Sequence, residues 1–223
     1  MTIDSQIKEV WFIRHAESMG NAGFATSDPA TIPLTKLGHQ QAKLLATYIT
    51  LQPDLIVTSP YMRTFQTATP TIQYCHQAKQ SEWQIQEFTY LAPARCVNTT
   101  ANERKVMVDD FWVRSDPDYV DGQGAESFSK LICRIQSMQQ KLHRLDAGSK
   151  VLVFTHGVFI NAFRWSLANS SAPITQLYMS NFHDFHLTWS VPNCGILKCK
   201  FDSQNRAWLQ PKIDDFITKN LSE

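Results

Sequence analysis

Four residues of this 223-residue chain could do chemistry together: Arg14 and His15, which are adjacent, Arg63, and His156. Arginine presents a fixed, forked cation that suits phosphate oxygens. Histidine is the side chain whose imidazole can be neutral near pH 7, and so can attack an electrophile or move a proton. The positions matter as much as the types. Arg14-His15 ends the apolar run Val10-Trp11-Phe12-Ile13, and His156-Gly157 follows the apolar run Lys150–Phe154. Arg63 comes shortly after a third run, Leu55-Ile56-Val57, and the polar segment Thr58-Ser59-Pro60. Short continuous apolar runs of this kind read as strands buried on both faces of a parallel sheet. Ligands of open α/β sheets bind outside the carboxyl ends of such strands. Two arginines, two histidines and the N-terminus of the helix after His156 would then meet at one edge. Free N–H groups and a positive dipole end make such a helix start suited to an anion.

The elements that must hold these residues follow from the pattern. Thr35 is placed as N-cap of a helix over Leu37–Ile49. A helix from Met62 to Tyr74 carries Pro70, where it should break or kink. Strand–helix–strand–helix within 75 residues predicts an α/β fold, a three-layer αβα sandwich with a mostly parallel central sheet. Ser127–Leu145 has an apolar stripe at helical spacing (Phe128, Leu131, Ile132, Ile135, Met138, Leu142), and Val158–Leu167 reads as an apolar helix. Phe185–Val191 and Gly195–Phe201 read as further strands, with Trp208–Ile213 a weaker one and the last residues a short helix or tail.

Between residues 75 and 126 the rhythm breaks. Trp83–Phe88 reads as a strand, Pro93–Asn102 as a loop, Glu103–Val113 as short helical pieces, and Asp116–Gly124 is turn-rich. The whole chain, 1–223, is taken as one domain, with this stretch as a cap over the carboxyl edge of the sheet. Long irregular segments in compact domains often form lids or binding loops. Its aromatic residues (Trp83, Phe88, Tyr90, Phe111, Trp112, Tyr119) are expected to be core.

Composition is that of an ordinary globular protein, with 43% hydrophobic and 18% charged residues. The net charge of +1 provides no basic stripe for nucleic acid, so none is expected as a partner. Nor is a membrane expected: no run of about 18 apolar residues occurs. The first residues lack the basic-then-apolar pattern of a secretory leader. Five scattered cysteines (75, 96, 133, 194 and 199) without a CxxC spacing fit reduced thiols in a cytoplasm. His183 and His186 form an HxxH pair without a third ligand at suitable spacing, so no metal is assigned there.

The ordered motifs resemble those of the histidine phosphatase superfamily, the phosphoglycerate-mutase-like proteins. Arg14-His15-Ala16-Glu17-Ser18 is similar to that family's Arg-His-Gly-Glu-Ser motif, with alanine replacing glycine, and Asn21 follows six residues after the histidine. Leu34–Ala42 resembles an LTxxGxxQA segment, and Ser59–Ala68 an SPxxRTxQTA segment. Gly124–Ser127 is similar to GGES, Thr155-His156-Gly157 to the second-histidine motif, and Asn193-Cys194-Gly195 to a late asparagine-containing segment. The resemblance runs from about residue 10 to 200.

That resemblance implies a metal-independent, cofactor-free phosphatase acting on a small phosphorylated substrate, with His15 as nucleophile. Arg14, Arg63 and His156 would bind the phosphoryl oxygens, and Asn21 and Gly157 would line the phosphate site. It also implies a carboxylic acid that protonates the leaving oxygen, but the usual Gly-rich sequence beside that acid is missing. Glu82, Glu87, Glu103, Asp109 and Asp110 are the candidates, and Glu87 is the best placed, at the end of the Trp83–Gln86 stretch. Alternatives are phosphoryl transfer of the phosphoglycerate mutase type, or a catalytically weak member that binds a phospho-ligand or a protein. Carboxylates outnumber cations in the 75–124 stretch, which favours hydrolysis of less highly charged substrates.

Overall fold

The computed structural model describes residues 6–204 and 206–217. Six strands are present among them, β1 (Lys8–Arg14), β2 (Leu55–Thr58), β3 (Lys79–Glu82), β4 (Lys150–Thr155), β5 (Ile196–Phe201) and β6 (Ala207–Leu209). They form one sheet in the order β3-β2-β4-β1-β5-β6. β1, β2, β3 and β4 pair in parallel, and β5 runs against its two neighbours.

Among the described residues the named α-helices are α1 (Lys36–Tyr48), α2 (Met62–Tyr74), α3 (Lys105–Arg114), α4 (Phe128–His143), α5 (Gly157–Ala168) and α6 (Gln176–Thr188). Alternation along each strand sends side chains to opposite layers. Trp11, Ile13, Ile56, Leu152 and Phe154 pack with Ala42 and Leu45 of α1 and Ala68 of α2. Val10, Phe12, Val57, Val151 and Val153 pack with α4 and α5. The rings of Phe12 and Phe163 lie 4.4 Å apart across that second layer. This is the expected three-layer αβα arrangement.

The expected N-cap is in place, the Thr35 hydroxyl accepting from Gly38 N–H, and Ser127, expected as the first residue of its helix, caps it through Lys130 N–H. α2 continues helical through Pro70 rather than breaking there.

Two expected strands are corrected. Trp83–Phe88 is not a strand; β3 lies just before it, at Lys79–Glu82. Polar Lys79–Glu82 pairs with β2 at the exposed edge of the sheet, where the backbone ladder and not apolar burial defines a strand. Trp83 N–H makes one more bond to Thr58 O, and the chain then leaves the sheet. The alternating Trp83, Ile85 and Phe88 point into the core from irregular backbone. Of the 75–126 stretch, Lys79–Glu82 thus belongs to the sheet, which the chain leaves after Glu82. Phe185–Val191 is not a strand either: most of it is the last part of α6 and the turn beyond. Thr175 caps that helix through Tyr178 N–H, and Tyr178, Met179 and Phe182 bury one face. Aromatic and β-branched residues at its end imitate strand composition, but the burial period is helical. The final tail falls mostly outside the described residues.

Candidate active site

The register of the sheet sets the site. Arg14 at the end of β1 pairs with Thr155 at the end of β4, and Thr58 at the end of β2 pairs with Phe154. His15 and His156, each one residue past the first pair, therefore emerge side by side, and Ser59 stands opposite Thr155. His15 N–H donates to Thr155 O at 2.9 Å, and Ser59 N–H to Phe154 O at 3.1 Å. The two imidazoles end up 5.2 Å apart, ring centre to ring centre.

Arg63, in the first turn of α2, lies between them. Its Nε donates to His15 Nε2 at 3.1 Å and its terminal nitrogens to His156 Nδ1 at 3.1 Å and Pro29 O at 2.6 Å. A guanidinium only donates, so these contacts fix both tautomers. The lone pair of His15 is on Nε2, and its Nδ1–H donates to Ala16 O at 2.7 Å. The lone pair of His156 is on Nδ1, and its Nε2–H donates to Ser59 Oγ at 2.8 Å. Both rings are buried. Burial, together with the charges of Arg63 and Arg14, pushes both histidines well below 6.5. They are neutral at pH 7. Burial also lowers Arg63 to about 10, which leaves it protonated.

Arg14 donates to Val191 O, and its Nε is buried without a partner. A Cβ at Gly157 would lie 3.4 Å from that Nε, so the glycine packs directly on the guanidinium. Asn21 is exposed, and its Oδ1 accepts from Ser18 N–H, Ser18 Oγ and Asn193 Nδ2. Asn193 Nδ2 also donates to His15 O at 3.0 Å.

Glu87 faces the same centre. Its carboxylate accepts from Phe88, Val158 and Phe159 N–H at 3.1, 3.3 and 3.2 Å. The α5 N-terminus, expected to offer its free N–H groups to a phosphate, has two of them committed to Glu87. The other candidate acids lie elsewhere: Glu82, Glu103, Asp109 and Asp110 are exposed, Glu103 bonding Thr100 and Asp109 pairing with Lys105.

The supporting residues come from the same motif strings. Thr35 N–H donates to Glu17 O, Gln41 Oε1 accepts from Glu17 N–H, and the Thr35 hydroxyl donates to Glu17 Oε1. A Cβ on Gly38 would stand 2.0 Å from Glu17 O, so only glycine lets α1 approach this loop. Thr67 accepts from Ala16 N–H, and Gln66 from Leu34 N–H. The segment before Glu87 is held by three successive carbonyls. Arg134 donates to Gln84 O and Gln86 O, and Thr155 Oγ1 to Ile85 O. Arg134 also forms a buried ion pair with Glu126. Sequence reasoning left Ser59, Thr67, Asn193, Glu126 and Arg134 without roles. All but Arg134 stand inside the quoted motifs, which was the available signal.

Among the described residues, no third ligand joins His183 and His186. They lie on α6, His183 stacked on Trp112 and His186 on Phe182.

The profile of the histidine phosphatase superfamily (branch 1) matches residues 10–212. The chain belongs to that superfamily. Among its curated relatives is a probable phosphoglycerate mutase of Yersinia enterocolitica, 28% identical over 67% of this chain and 70% of the relative. Another, of Photorhabdus laumondii, is 26% identical over the same shares. The fold is also that of a putative alpha-ribazole-5'-P phosphatase from Escherichia coli. That structure has a TM-score of 0.71 at 17% identity, covering 93% of this chain and 96% of the other. A phosphoserine phosphatase from Entamoeba histolytica, in complex with 3-phosphoglyceric acid, has a TM-score of 0.68 at 19% identity over 94% and 98%. No described helix of this superfamily member is long and apolar enough to cross a membrane.

Proposed function

We propose that this protein hydrolyses a phosphomonoester, without a metal ion, through a phosphohistidine on His15. The observation that carries the reading is the state of His15: neutral, with Nδ1–H fixed on Ala16 O and the Nε2 lone pair turned to Arg63. In the first step Nε2 bonds to phosphorus, and the ester P–O bond breaks. The leaving oxygen takes a proton from Glu87. In the second step water attacks phosphorus as the P–N bond breaks, Glu87 takes the water proton, and inorganic phosphate leaves. Arg14, Arg63 and His156 surround the phosphoryl oxygens, and preorganised donors of this kind supply most of the stabilisation of such a transition state. His156 offers a lone pair on Nδ1, so it becomes a donor there only by taking up a proton or exchanging tautomer when phosphate enters.

The assignment is tested by mixing enzyme with labelled substrate in chelator and quenching into alkali, in which a phosphoramidate survives. Label is expected on His15, and His15→Ala should abolish both trapping and turnover in folded protein. Label on His156 would reverse the histidine roles, and activity lost to chelator but restored by a divalent ion would end the metal-free mechanism. Two curated relatives named as probable mutases support a second reading, transfer of the phosphoryl group back to substrate. Inorganic phosphate as the sole phosphorylated product rules that reading out.

A further inference from the structure

Beside the phosphoryl centre lies a cavity of about 170 Å³. Arg63 and Glu87 both border it, whereas His15, His156 and Arg14 do not. If Arg63 grips the phosphoryl group and Glu87 protonates the departing oxygen, the alcohol part of the ester extends from between them into this space. The inference thus rests on the function proposed above.

The walls are mostly apolar, with Pro29, Ile32, Phe88, Leu91 and Val108 among them. The polar lining is largely occupied. Tyr61 hydroxyl bonds Thr89 hydroxyl at 2.9 Å, and Ser27 Oγ accepts from Asn98 N–H. Apart from Arg63, one cation borders the cavity, Arg104, whose Nη1 donates to Thr99 O, Thr99 Oγ1 and Thr26 Oγ1. These bonds serve the roof, because Thr26 and Thr99 also bridge the 20–33 loop to the cap through paired backbone bonds of 2.9 and 3.2 Å. A carboxylate in this space would meet mostly apolar walls, beside an arginine already held at Nη1 by Thr99 and Thr26. Burying such a charge unpaired is costly.

The space opens to solvent and is large enough to seat one ring, because an apolar cavity of about 150 Å³ accepts benzene.

We infer that the substrate is a phosphomonoester of a small uncharged alcohol with about one ring of apolar surface, not a phosphorylated carboxylic acid. The test compares benzyl phosphate with 4-carboxybenzyl phosphate, whose leaving alcohols are nearly equal in acidity. p-Nitrophenyl phosphate is run alongside as a control for phosphatase chemistry. kcat/KM is expected to be about tenfold or more higher for the benzyl ester. Val108→Arg should narrow that gap by raising the carboxybenzyl rate and lowering the benzyl rate, with Ile32→Lys as a second variant should the first not fold. Equal rates, a preference for the carboxyl compound, or failure to turn over either ester while p-nitrophenyl phosphate is hydrolysed would overturn the substrate class and leave the phosphatase reading standing. If none of the three is hydrolysed, the phosphatase reading falls, and the substrate class with it.

Discussion

On the function proposed above, the two ends of the site are built on opposite plans. At the phosphoryl end, charged and polar groups emerge from the tips of three adjacent parallel strands and are held by side-chain bonds from α1 and α2. His15, Arg63 and His156 are all buried there, and each is hydrogen-bonded. At the ester end, the walls come from the 20–33 loop, the segment after Glu87 and α3, and are mainly apolar. A transition state whose charge is the same for every phosphate ester calls for donors fixed by sheet register. The part of the substrate that varies is met by loops, which tolerate change without disturbing the sheet. Glu87 stands at the junction, aimed from the cap but anchored on α5.

This comparison can be broken at several points. The largest effect is expected from Arg63→Ala. It removes a donor to the developing charge and the group that fixes both histidine tautomers, at a cost of about 3 kcal/mol, or a hundredfold or more in kcat/KM. The loss should be the same for every substrate, and a loss under fivefold in folded protein would take Arg63 out of the phosphoryl end.

Glu87→Gln sharpens the junction. General acid catalysis contributes about a hundredfold or more when the leaving group is poor. Alkyl phosphates should therefore lose that much, and p-nitrophenyl phosphate far less. Equal losses for the two would assign the proton to another group.

Gly38→Ala tests whether the phosphoryl end depends on the approach of α1. A methyl group cannot fit 2.0 Å from Glu17 O, so α1 or the loop after His15 must move. Overpacking of this kind costs about 1–3 kcal/mol, read as a lower Tm. kcat should fall for all substrates alike, with their ranking unchanged.

The smallest effect is on stability against pH. His15 and His156 sit well below 6.5 in the folded protein. Above 6.5 they are neutral whether folded or not. As pH falls below 6.5, the unfolded chain binds protons that the folded one refuses, so stability is lost progressively down to the folded values. Each such histidine costs up to about 1.4 kcal/mol per pH unit in that window. Thermal denaturation should show Tm falling from pH 6.5 downward, with a shallower slope in His156→Gln. His143, His183 and His186 are lowered too and keep the slope from vanishing. A Tm independent of pH across that window would mean that the rings are not held neutral.

The sequence made the phosphoryl end legible because its causes are local. Val10–Ile13, Leu55–Val57 and Lys150–Phe154 are apolar runs, each followed directly by polar residues, and Thr35 and Ser127 cap their own helices. Much of the rest was opaque because its causes are distant. β3 is a strand through pairing with Leu55–Thr58, although its own residues are polar. α6 carries strand-like residues on a helix fixed by burial of Tyr178, Met179 and Phe182. Glu87 could be picked from five acids by its neighbours in the chain, but its N–H donors lie some 70 residues away on α5. The carbonyl that sets the tautomer of His15 proved to belong to the very next residue, yet only the backbone turn after β1 brings it to Nδ1.

Arg63 has a further consequence for turnover. Its guanidinium already serves His15, His156 and Pro29 O. These contacts engage three of the five N–H groups and leave one on each terminal nitrogen. On the function proposed above, a phosphoryl group that takes those two donors leaves the bonds to His156 and Pro29 O in place, so the arginine need not be re-aimed between one turnover and the next.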